Sequence, residues 1–342
     1  MKRIIPLCLA LVMTVGLLTG CGKQNEPAAS DETRLRVVTT IFPEYDWVRE
    51  ILGDKADNAE VTMLLDNGAD LHSYQPTADD IVKISECDLF IYVGGESDDW
   101  VDDALKNAAN KNRKVINLLE ALGERVKTEE AVEGMQEEEH DHDHDHEDTD
   151  EHDDAKEHDN EEEAEYDEHV WLSLKNAQTL CSAISSVLQQ IDPDNKDTYA
   201  ANASAYIKKL SALDADYQAA VNAAACKTVL FGDRFPFRYL AEDYGLRYYA
   251  AFAGCSAESE ASFETVSFLA GKVDELNLPC VLTIEGVQHK IAETIVRNTA
   301  AKNQKVLTMD SMQSTTSKDA ANGTTYLSVM ERNLSVLKEA LG

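Results

Sequence analysis

Two sets of four short β-branched runs, with room for one helix between successive runs, limit what this chain can become. The first set is LRVVTT (35–40), AEVTMLL (59–65), DLFIYVGG (88–95) and KVINLL (114–119). The second is KTVLFG (227–232), LRYYAAF (246–252), PCVLTIE (279–285) and QKVLTMD (304–310). Apolar strands that alternate with helices form mostly parallel sheets covered on both faces. The expected fold class is α/β, with two doubly wound α/β lobes. Between the sets, LKNAQTLCSAISSVLQQI (174–191) has a helical period, and from Pro193 to Cys226 there is no glycine and no further proline. That stretch reads as one long rigid helix with Asp192 as N-cap and Pro193 at the first helical position. The expected layout is an N-terminal lobe over 34–191, a linker helix over 192–226 and a C-terminal lobe over 227–342. In open parallel sheets ligands bind beyond the carboxyl ends of the strands, so a cleft site is expected there, between the lobes.

The first 33 residues stand outside that pattern. Lys2 and Arg3 precede an apolar run from Ile4 to Leu18, followed by Leu18-Thr19-Gly20-Cys21. A basic, then apolar, then small-residue order is that of a secretory signal, too short to span a bilayer comfortably. Leu-x-Gly-Cys at its end resembles the bacterial lipobox, which makes Cys21 the expected lipidation site after a signal peptide over 1–21, with 22–33 as a polar tether. An extracytoplasmic protein anchored to the bacterial cell membrane as a lipoprotein is expected.

The net charge is −33, and two thirds of it lies between Glu129 and Glu168, where there are 23 acidic residues and one lysine. Six histidines interrupt the run: His140, His142, His144, His146, His152 and His158. Repelling carboxylates without an apolar anchor cannot build a rigid site, so 129–168 reads as a disordered loop that binds metal weakly and in shifting arrangements. Such acidity excludes nucleic acid as a partner and favours cations. Gly-x-Ser-x-Gly, a phosphate loop and His-Glu-x-x-His are all missing from the sequence, so an enzyme is not expected. Beyond Cys8 and Cys21, five cysteines remain: Cys87, Cys181, Cys226, Cys255 and Cys280. An odd number permits two disulfides and one free thiol, or buried thiols throughout.

The cleft rule singles out DNGADLHSYQPTADD, directly after the second strand. Thr77 and Asp80 make a capping box for the next helix, leaving His72 as a loop imidazole delivered to the cleft. Asp70, His72, Tyr74, Pro76, Thr77 and Asp80 form a pattern that resembles the substrate-binding lipoproteins of zinc and manganese ABC importers. Asp167, His169, Trp171 and Leu172 match a second motif of that family, and the likeness spans nearly the whole mature chain. A histidine-rich insertion is typical of its zinc-handling members. The resemblance implies capture of zinc for delivery to an ABC permease, by a monomer held to the membrane through its lipid. A manganese or iron importer component, or a surface metal buffer or adhesin without transport, is the alternative.

In the third motif the chain departs from the family. Phe237, Tyr239 and Tyr244-Gly245-Leu246 keep the register in FGDRFPFRYLAEDYGL, which puts Arg234 where the family has a histidine. Arginine stays protonated and cannot ligate a cation. The expected metal ligands are therefore His72, His169 and, by resemblance, Asp310. Asp233, Glu258, Cys255 and Glu285 are further candidates, Glu285 by resemblance a supporting residue. His289 reads as a surface residue near a helix start.

Overall fold

The computed structural model describes residues 34–106, 108–136, 165–256, 260–286 and 289–342. All eight expected strands form: β1 (Leu35–Thr39), β2 (Ala59–Met63), β3 (Leu89–Tyr92), β4 (Lys114–Asn117), β5 (Thr228–Arg234), β6 (Arg247–Phe252), β7 (Cys280–Thr283) and β8 (Lys305–Thr308). They make two fully parallel four-stranded sheets of the same topology, β2-β1-β3-β4 and β6-β5-β7-β8. In each, the chain leaves the first strand toward one edge and returns to build the other, the doubly wound arrangement that opens a crevice at the strands' carboxyl ends.

The inner strands of the second sheet, β5 and β7, are buried on both faces, which is why they are apolar at consecutive positions. Leu230, Ala251 and Val281 pack with Val266, Leu269 and Ile295 of helices Phe263–Leu276 and Lys290–Asn298, one compact core. Val229, Phe231, Ala250 and Leu282 belong instead to the main core, which is continuous with the first sheet and contains Trp47, Trp171, Tyr217 and Tyr326.

Helix Lys196–Ala223, 28 residues long, joins the lobes and at 1.5 Å per residue extends about 42 Å. It starts later than the sequence suggests. Asp192 precedes a single 3-10 turn over Pro193–Asn195, and its carboxylate accepts from Tyr199 Oη–H at 2.6 Å and Asn195 Nδ2–H at 2.8 Å. Those side-chain bonds hold the entry as a tight turn.

The acidic loop is also narrower than 129–168. The Thr128–Tyr166 bridge and the Glu129 N–H to Glu165 carbonyl bond pair its two ends, while Gln136 N–H donates to the Ala251 carbonyl. Asp167 and Glu168 are buried, so residues 129–136 and 165–168 are part of the folded body despite their charge. The six histidines of the run lie outside the described residues, as do Cys21 and Glu258. All five remaining cysteines are free thiols.

Candidate metal centre

His72 sits in a 3-10 turn, Leu71–Ser73, in the loop after β2; the Asp70 carboxylate caps that turn by accepting from His72 N–H at 3.1 Å. Its Nδ1 lies 2.8 Å from Ser97 Oγ, in the turn after β3. The Glu168 carboxylate positions this turn by accepting from Ser97 N–H at 2.9 Å, and its other oxygen stands 3.5 Å from His72 Nδ1. Gly95, at φ +86°, has no room for a Cβ because Glu168 lies against it. Burial, then the neighbouring His169, pushes the His72 imidazole down to about 3, so it is neutral at physiological pH and has a lone pair to offer.

His169 is fully buried. Asp167 Oδ1 accepts from both its Nδ1–H, at 3.0 Å, and its backbone N–H, at 2.9 Å. Hydrogen-bonded to Asp167 through Nδ1, the ring turns Nε2 inward. The segment is pinned behind the ring: Trp171 Nε1–H donates to the Ser311 carbonyl, and Tyr239 and Tyr326 hydroxyls donate to the Asp167 and Trp171 carbonyls. The two rings converge with Nε2 to Nε2 at 3.3 Å. Tetrahedral zinc with bonds of about 2.0–2.1 Å holds two nitrogens about 3.3–3.4 Å apart. The pair is thus already spaced for one ion.

From the second lobe, the loop after β6 reaches the same place. His72, His169 and Cys255 offer ligand atoms that all lie within 4.8 Å of one another. Gly254 abuts the His169 ring: a Cβ there would stand 3.2 Å from both Cε1 and Nδ1. The buried Gln313 gives a contact that sequence reasoning missed. With its amide nitrogen donating to Asp70 at 2.9 and 3.1 Å, its oxygen faces His169 Nε2 at 3.3 Å. A lone glutamine in a loop carries no sequence signal for such a role.

Arg234 ends β5 and forms an ion pair with Asp70, crossing between the sheets' loops. Burial pushes the Asp70 carboxyl up, but the Arg234 guanidinium, with the hydrogen bonds from Arg234 and His72 N–H, outweighs it and holds it below the usual range. The other candidate carboxylates are occupied elsewhere. Asp310 accepts from Met312 N–H at 2.9 Å and lies 3.7 Å from Arg332. Asp233 accepts from the N–H groups of Arg234 and Ile284. Glu285 accepts from Ser311 N–H and Oγ–H and from Gln313 N–H, tethering the loop that carries Gln313. None of the three joins the His72, His169 and Cys255 group. His289 is half-buried at the start of its helix, its Nδ1 without a hydrogen bond among the described residues, and so is not the surface residue its sequence context suggests.

The profile of a family described as "Zinc-uptake complex component A periplasmic" matches residues 37–340. The zinc-binding lipoprotein AdcA of Streptococcus pneumoniae serotype 4 is 31% identical over 339 residues, 99% of this chain and 61% of the relative. The chain thus spans less than two thirds of that protein. The high-affinity zinc uptake system protein ZnuA of Bacillus subtilis is 31% identical over 327 residues, 95% of this chain and 94% of the relative. Among solved structures, the Zn(II)-bound ZnuA-like domain of S. pneumoniae AdcA superposes with a TM-score of 0.66 at 28% identity, covering 90% of this chain and 99% of that one.

Proposed function

The chain belongs to the family of periplasmic zinc-uptake components, and from that premise we propose that it captures zinc outside the cytoplasm and delivers it to the permease of an ABC importer. The observation that carries this reading is the 3.3 Å separation of His72 Nε2 and His169 Nε2, each ring backed at Nδ1 by a polar partner. Outer partners of this kind orient and strengthen ligating imidazoles. The two histidines hold the ion from the first lobe, and groups from the second lobe complete the coordination. The long helix between the lobes allows only small relative movement, which marks the loaded state for the permease.

Cys21, in the Leu-x-Gly-Cys context, carries the lipid that keeps the monomer at the membrane, a reading supported by the name of the pneumococcal relative, a lipoprotein. The six histidines from His140 to His158 act as a weak antenna, a reading supported by the Thr128–Tyr166 bridge, whose Tyr166 stands three residues before His169. Zinc is the cargo; paired imidazoles favour it over manganese, which prefers oxygen.

Competition against a zinc chelator tests this, on the full chain and on a variant lacking residues 137–165. One tight site that survives the deletion and disappears in either His72→Ala or His169→Ala is expected. Zinc uptake by cells lacking the gene should fall and be restored by the parent but by neither histidine variant. Tight binding that goes with the deleted run, or uptake that is unchanged without the gene, would sink the transport reading in favour of a surface buffer.

A further inference from the structure

We propose that the Cys255 sulfur is a metal ligand and stands in for the histidine that Arg234 displaces, so that two imidazoles from the first lobe and one thiolate from the second hold the ion. The proposal rests on the reading that His72 and His169 bind the cargo, and adds the third ligand. His72, His169 and Cys255 are the one group of three or more histidine, cysteine or carboxylate side chains, among the described residues, whose ligand atoms come so close together. Tetrahedral zinc with a bond to sulfur of about 2.3 Å and to nitrogen of about 2.0–2.1 Å spaces those atoms about 3.5–3.6 Å apart. From separations of at most 4.8 Å, the thiol has to approach by little more than about 1 Å.

The loop is held for this. Cys255 N–H donates to Glu129 Oε1 at 2.9 Å, and Gly254 keeps the backbone against the His169 ring, where a larger residue would push it away. The competing groups are committed elsewhere: Asp310, Asp233 and Glu285 accept backbone N–H bonds, and Asp70 neutralises Arg234. The Gln313 oxygen lies 3.3 Å from His169 Nε2. Cys87, Cys181 and Cys280 are buried and outside this group. On binding, the S–H bond is replaced by a sulfur–metal bond and the proton leaves to solvent, with no change of oxidation state. A site of two imidazoles and a thiolate is soft, so it favours zinc and cadmium over manganese.

Cobalt(II) reports sulfur directly. At one equivalent, the full chain should show tetrahedral ligand-field bands and a thiolate-to-cobalt charge-transfer band. The histidine run contains no cysteine and cannot produce the latter. Cys255→Ser should abolish the charge-transfer band and Cys226→Ser should keep it. In the unsubstituted chain, which avoids any folding defect of the variant, zinc should slow alkylation of Cys255 by iodoacetamide about tenfold or more while leaving Cys226 unchanged. A tight cobalt site without the charge-transfer band, a band that survives Cys255→Ser, or alkylation of Cys255 indifferent to zinc would overturn the thiolate and leave the two-histidine reading standing. Zinc binding unaffected by His72→Ala and His169→Ala would overturn both.

Discussion

Asp167 holds His169 at two points with one oxygen, and changing it separates the charge of that contact from its geometry. In Asp167→Asn an oxygen of the same size can still accept from Nδ1–H and from the backbone N–H, now held at 3.0 and 2.9 Å. The ring keeps its place and its tautomer but loses the negative charge that makes Nε2 a better donor to metal. Outer partners of ligating histidines are worth about 10–100-fold in metal affinity, or about 1.4–2.7 kcal/mol. Because the acceptor survives, Asp167→Asn should fall at the lower end, about tenfold. Asp167→Ala leaves Nδ1–H of a fully buried ring without its acceptor and should reach about 100-fold or beyond. Titration of each variant against a chromophoric zinc chelator at neutral pH reads both losses. If both variants bind zinc like the parent while His169→Ala abolishes binding, the carboxylate does not support the ring as argued.

Two further expectations concern the scaffold. A Cβ on Gly232 in β5 would meet the backbone of the helix Lys290–Asn298 at 2.5 Å from Ala292 Cα, so Gly232→Ala should cost about 1–3 kcal/mol in denaturant unfolding of the metal-free protein; an unchanged midpoint would refute the close packing. Burial, then the nearby Asp98, pushes the Glu44 carboxyl up to about 8. A raised folded-state value means that this group's contribution is intact below the ordinary 4.5 and is lost as pH climbs through about 8, a change on the order of a few kcal/mol. Glu44→Gln should flatten the pH dependence of stability across that window, and a slope identical to the parent's would contradict the assignment.

How much of this could be read from the sequence depended on the range of the interaction that decides each feature. The eight strands were readable because short β-branched runs recur between helical stretches, a local pattern that is strongest in the buried inner strands. Thr77 and Asp80 were readable as a capping box for the same reason, and Thr77 N–H to Asp80 and Asp80 N–H to Thr77 are both made. The helix entry at Asp192 was misplaced because Tyr199, seven residues on, competes for its carboxylate. Asp310 follows a strand and looks poised for the cleft, yet Met312 N–H and Arg332 hold its oxygens. The pairing of Arg234 with Asp70 joins residues 164 apart, and Gln313 owes its place to a loop tethered by Glu285. Such long-range contacts leave no spacing or period in a single chain. Glu129–Gln136 shows the limit of composition, since an acidic stretch folds when Ala251 and Ser262 offer backbone partners.

Anomalous diffraction at the zinc absorption edge, from crystals of the zinc-loaded full chain, tests the central claim most directly. The account predicts one dominant peak about 2.0–2.1 Å from both His72 Nε2 and His169 Nε2. A dominant peak elsewhere, with none between the two rings, would contradict it.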